Sequence, residues 1–121
     1  LGLDNTPDAE AEANLQALCT HVLEPLRARF GRIIVTSAYR SKAVNDALFG
    51  EPHSQHLKGE AADIHVSNEE MGRRYFRYIK HVLDFDQLLF EHVMNNGCMW
   101  LHVSYCRDSS RNRHKAKELS I

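Results

Sequence analysis

The sequence predicts an α+β domain with a small, largely antiparallel sheet flanked by helices, and three patterns carry that expectation. Leu15, Leu18, Val22, Leu26 and Phe30 recur at helical spacing near the start of the chain. Residues 60–66 and 99–105 alternate with the period of strands, and a second helical stripe of Met71, Tyr75, Tyr78, Ile79 and Val82 lies between them. Helices and strands that are mixed rather than regularly alternating favour a sheet covered by helices over a doubly wound one.

Taken in order, the first helix starts at Thr6-Pro7, with Thr6 as cap and Pro7 in the first helical position. It stops at Gly31, with Pro25 as an internal kink. Residues 32–37 read as a strand, and residues 41–49 as a short helix with Val44 and Leu48 on one side. A loop over residues 50–59 follows. The strand over residues 60–66 leads to a helix capped by Asn68. The chain then forms a hairpin, with a strand at 86–91, a loop at 93–98 and a strand at 99–105. Residues 106–121 read as a basic, solvated tail, because within 107–117 Arg107, Arg111, Arg113, Lys115 and Lys117 face only Asp108.

A chain of 121 residues forms one domain, residues 1–121, with a modest core, and its 43% hydrophobic and 26% charged residues are ordinary for a soluble fold. A formal net charge of −1 gives no field for nucleic acid. No apolar run spans a membrane, and no signal core is visible. Since the chain begins at Leu1, it is read as a mature form, an isolated domain or a processed fragment, with any export signal out of view. Cys19, Cys98 and Cys106 form no Cys-x-x-Cys pattern, so free thiols are expected, with a Cys98–Cys106 pair as the alternative.

The most informative residues are His56, Asp63 and His102. Two imidazoles and one carboxylate suit a catalytic zinc, because three protein ligands leave a fourth position for water. With one carboxylate bound, the ion keeps positive charge, which lowers the pKa of its water to about 7 and polarises a carbonyl. Eight histidines make chance proximity easy, and a His-x6-Asp spacing alone is weak. The context adds weight: Gly59 allows a tight turn, Asp63 points inward from one strand, and His102 shares a strand face with Trp100 and Ser104.

Four segments together resemble a known family: Ser37-Ala38-Tyr39-Arg40-Ser41 with Asn45; Ser54-x-His56-x-x-Gly59-x-Ala61-x-Asp63; Phe85-Asp86-Gln87-Leu88-Leu89-Phe90-Glu91; and Trp100-x-His102-Val103-Ser104-Tyr105. In this order they are similar to the zinc D-alanyl-D-alanine carboxypeptidases, a family that includes peptidoglycan endopeptidases and shares its fold with the Hedgehog signalling domain. The resemblance implies His56, Asp63 and His102 as ligands of one Zn2+ per chain. It implies Arg40 near the substrate carbonyl, a role that suits a guanidinium able to hold a carboxylate or an oxyanion. The bland alternative for Arg40 is a surface residue or a partner of Asp46. Ser54 either binds substrate or stabilises its loop.

Relatives with a Glu three residues before the last His, or a His five before it, find no match in Met99 and Gly97. Glu91 is the best candidate general base, expected to face His102 across the hairpin; His92 is the runner-up, on the opposite strand face. Trp100 is expected to wall the cleft, His65 to support Asp63 or act as a spare ligand, and His53 to flank the site. His21, His81 and His114 read as solvated. The implied function is a zinc metallopeptidase acting on peptidoglycan peptides, as carboxypeptidase or endopeptidase. It would be a monomer in the cell envelope, periplasmic or extracellular, or in a phage lysin. The alternative is a zinc-bearing binding module that has lost catalysis.

Overall fold

The computed structural model describes residues 2–121. Helices α1 (Ala9–Leu18) and α2 (Glu24–Phe30), joined by a π-helical turn at Cys19–Leu23, precede β1 (Ile34–Ser37) and α3 (Lys42–Ala47). A 3-10 turn at Gln55–Lys58 leads into β2 (Ala61–His65), followed by α4 (Glu69–Val82), β3 (Gln87–His92), β4 (Met99–Ser104) and β5 (Lys115–Ser120). The strands form one sheet in the order β1-β2-β4-β3-β5, antiparallel throughout except for the parallel β3–β5 pair. The α+β class is as expected.

One sheet face carries the core. Leu18, Val22 and Leu26 from the first helical arm and Tyr75 and Ile79 from α4 close over Ala62, Ile64, Leu88, Phe90, Leu101 and Val103. Full burial of each large aliphatic or Phe side chain stabilises the fold by about 1.5–3 kcal/mol. Gly72 lets α4 lie directly on the Phe90 ring, since a Cβ there would come within 2.4 Å of Phe90 Cζ. The opposite strand residues, Asp63, Glu91, Trp100 and His102 among them, alternate onto the other face and line a cleft.

Several local expectations shift. Asp8, not Thr6, caps α1: its Oδ1 accepts from Ala11 N at 2.8 Å, while Thr6 turns its N–H and hydroxyl to Asp4. Pro25 has no N–H to give the His21 carbonyl, and the preceding π turn absorbs that loss by bonding Glu24 N to Cys19 O. In α3 the inward residue is Asn45, 1% exposed, whereas Leu48 is 53% and Phe49 95% exposed. The cause is polar: Asn45 Nδ2 donates to Glu51 O at 2.9 Å and pins the loop that follows. Val82, at the last turn of α4, is exposed, while Asn68 caps that helix as predicted.

The largest difference lies in the C-terminal run. Residues 115–120, read as part of a solvated tail, form β5 alongside β3, with Ala116 opposite Leu88 and Glu118 opposite Phe90. Lysines at alternate positions hide the strand period, but Ala116 and Leu119 are half-buried, and Glu118 holds Arg73 of α4 at 2.9 Å. The three cysteines are free.

Candidate metal centre

His56 reaches the cleft from the 3-10 turn. Ser54 starts that turn, its Oγ accepting from His56 N at 3.2 Å, and Gly59 ends it at φ 72°. A Cβ at Gly59 would meet Ala11 O at 2.4 Å, so only glycine gives both the left-handed conformation and this close approach to α1. His56 Nδ1 lies 2.6 Å from Ala38 O. A carbonyl only accepts, so Nδ1 carries the proton and Nε2 offers its lone pair to the cleft. The buried ring is thereby fixed in both tautomer and orientation.

Asp63 and His102 are direct partners across the β2–β4 ladder. Asp63 Oδ1 is 3.0 Å from His102 Nδ1 and 3.4 Å from His56 Nε2. All three ligand atoms lie within 4.8 Å of one another, and among the described residues this is the group able to hold a metal ion. Tetrahedral bonds of 2.0–2.1 Å place ligand atoms about 3.3 Å apart, so the cluster fits a zinc-sized ion with little adjustment. Burial opposes ionisation of Asp63, but without a metal the His102 and His56 rings, when protonated, hydrogen-bond to it and face it with positive charge, which holds its carboxyl well below the ordinary carboxylate range. It is therefore a ready anionic ligand.

Arg40 joins the cluster. Its Nε donates to Ser37 Oγ at 3.1 Å, its Nη2 stands 3.5 Å from Asp63 Oδ2, and its backbone N donates to His56 O at 2.9 Å. Pairing with Asp46 is excluded, since Lys42 takes that carboxylate at 2.9 Å. A bulge at Thr36 in β1 sets Ser37 opposite Asp63 and so brings Arg40 round to the site.

The hairpin closes at His92 opposite Met99, which puts Glu91 opposite Trp100 and Leu89 opposite His102. The expected direct facing of Glu91 and His102 is thus corrected to a diagonal relation. Trp100 Nε1 donates to Glu91 Oε2 at 2.9 Å. Glu91 and Trp100 both line the cleft, of about 570 Å³, with Arg40, Ser54 and the three ligand residues. His92 points to the other face, between Phe90 and Glu118. Its Nε2 is 3.1 Å from Glu118 Oε1 without hydrogen-bond alignment.

The other histidines separate clearly. His53 lines the cleft from its lip, and His65 is exposed, outside the ligand cluster. His21 stacks on Tyr105, and His114 stacks on Phe85 while pairing with Asp84. Sequence reasoning gave no role to Asp86, Gln55 or Arg113. Asp86, 3% exposed, accepts from Gln55 Nε2 at 3.0 Å and from Arg113 Nε and Nη2 at 2.8 and 3.0 Å. An acid beside an apolar strand, inside one of the four segments that carry the family resemblance, is the signal that hinted at it. A second cleft of about 590 Å³, lined by Asp8, Glu10, Lys58, Arg107 and Arg111 among others, has mixed charge and no such ligand cluster among the described residues.

The family model for Peptidase M15 matches residues 2–104. The chain belongs to the peptidase M15 family. A search of the curated proteins finds no match. Membership and the His56–Asp63–His102 triad together make this M15 member a metal-dependent hydrolase of peptidoglycan peptides, in line with the resemblance read from its sequence. Among the described residues, no helix is long and apolar enough to cross a membrane.

Proposed function

We propose that residues 1–121 form a single peptidase domain that binds one zinc ion through His56 Nε2, Asp63 and His102 Nδ1 and cuts amide bonds in peptidoglycan peptides. The observation that carries this reading is the convergence of three fixed ligand atoms, one on a buried turn and two paired across a ladder. When bound, zinc supplies a Lewis acid that polarises the scissile carbonyl and acidifies a coordinated water.

The remaining steps belong to the side chains. Trp100 holds Glu91 Oε2, which orients the carboxylate and leaves Oε1 free to take a proton from the attacking water and pass it to the leaving amine. Arg40, anchored through Nε on Ser37, has a loosely held Nη2 to turn from Asp63 towards the developing oxyanion. The indole of Trp100 walls the cleft and excludes water. Ser54 contributes by capping the His56 turn, with its hydroxyl at the cleft edge available to substrate. The domain acts as a monomer in the cell envelope, periplasmic or extracellular, or within a phage lysin. Native mass spectrometry is expected to find one zinc per chain, lost in His56→Ala. Two or more tightly bound zinc ions, or a His56→Ala variant that keeps its zinc, would contradict the assignment. Product analysis on a D-Ala-D-Ala-ended pentapeptide and on crosslinked peptidoglycan separates carboxypeptidase from endopeptidase.

A further inference from the structure

Residues 105–121 lie beyond the stretch that the M15 family matches, yet they bring a cation to the cleft. Arg113 stands just before β5, and Asp86 fixes it three times over: through backbone N at 3.1 Å, Nε at 2.8 Å and Nη2 at 3.0 Å. The same carboxylate accepts from Gln55, the neighbour of ligand His56. Although so firmly held, the Arg113 side chain is 49% exposed and lines the cleft with His56, Asp63 and His102.

A guanidinium presents five N–H donors, and Asp86 takes only one edge of this one. The outer edge, with Nη1, is left for another acceptor. A fork already locked by a buried carboxylate loses little side-chain freedom when it binds, so its donors are pre-organised. Arg40, the other arginine of the cleft, is anchored on Ser37 and near Asn45 and Asp63, and its movable Nη2 is the donor assigned to the oxyanion rather than to a substrate carboxylate. The acids at the cleft, Glu51, Asp63 and Glu91, attract no anion.

We propose that Arg113 is a substrate-binding residue that takes a carboxylate of the peptide being cut, with Asp86 as its positioning residue. The inference rests on the peptidoglycan-peptide reading and deepens it: the preferred substrate is an acidic peptide. The carboxylate belongs either to an acidic side chain or to a free C-terminus, and matched peptides distinguish the two.

The test compares four peptides: free acid at both positions, amidated at the side chain, amidated at the terminus, and amidated at both. The wild-type protein is expected to favour one acid form over the doubly amidated peptide by about tenfold in kcat/KM. Arg113→Gln brings that ratio close to one, and Arg113→Lys keeps part of it. Because Arg113→Gln strands the buried Asp86, the Asp86→Asn/Arg113→Gln double variant is measured as well, with its melting temperature and zinc content. Calorimetry with zinc-free protein gives an independent reading: the Kd for the acid peptide rises about tenfold in both variants. An unchanged ratio and unchanged Kd, with only the melting temperature lowered, would reduce Arg113 to a structural ion pair and overturn the proposal. Absence of any cleavage by the wild-type protein would instead sink the hydrolase reading, and the binding arm would still decide the role of Arg113.

Discussion

Replacing Asp86 by Asn keeps the shape of the side chain but removes the charge that gathers four donors. In the native protein one carboxylate accepts from Gln55 Nε2 and from Arg113 N, Nε and Nη2 at 2.8–3.1 Å. Hydrogen bonds to a charged group contribute about 1.5–3 kcal/mol each, and breaking a buried ion pair costs about 3–5 kcal/mol. Arg113 is half-exposed and regains water when released, so the discounted loss is about 2–3 kcal/mol. For a domain of this size that corresponds to a melting temperature lower by roughly 10 °C at pH 7. The effect depends on pH in a defined direction. Burial opposes ionisation of Asp86, but the bonds from Arg113 and Gln55 prevail and hold its folded-state pKa below the ordinary value of 3.8. A depressed carboxylate pKa stabilises the fold above the unfolded-state pKa, and that stability is lost as pH falls through the folded one. Urea titrations of both proteins should therefore show the full gap at pH 6–7 and a shrinking gap below about pH 4. A gap that is absent at pH 7, or as large at pH 3 as at pH 7, would refute this account of the Asp86 network.

Glu91→Gln should keep the metal and the fold while lowering turnover by about 10²–10⁴-fold; a Gln variant with normal zinc and normal turnover would place the base elsewhere. Gly59→Ala forces a Cβ to within 2.4 Å of Ala11 O at a left-handed φ, so denaturation should show a loss above about 2 kcal/mol, with weakened zinc affinity because the same turn carries His56. Phe49 sits at φ 56° with its ring 95% exposed, so Phe49→Gly should raise stability by about 1 kcal/mol; a less stable variant would mean that the ring makes a contact of value.

The triad was readable because strand alternation is local: given the period of two, Asp63 and His102 must face the same side, and Gly59 marks the turn that lets His56 join them. Register was not readable in the same way. The loop over residues 93–98 closes the hairpin at His92 and Met99, and that pairing moves Glu91 two residues along the ladder, opposite Trp100 rather than His102. The fifth strand escaped notice because its partner, β3, was already paired by the hairpin, and Lys115, Lys117 and Glu118 give it a solvated composition. Asn45 and Asp86 are buried polar residues whose reasons for burial are distant partners, Glu51 O in one case and Gln55 and Arg113 in the other. Periodicity sorts residues by polarity, so it assigns such side chains to the surface. Arg113 was obscured for the same reason, inside a basic run whose charges look interchangeable.

The central claim is that one ligand from the 3-10 turn and two from the sheet hold a zinc that makes an amide hydrolase. It is tested most directly by measuring release of free amino groups from purified peptidoglycan and from a D-Ala-D-Ala-ended pentapeptide, with zinc-loaded protein beside His56→Ala. The account predicts zinc-dependent cleavage that disappears in the variant. No cleavage by a protein that holds one zinc tightly would contradict it and leave a zinc-bearing binding module in its place.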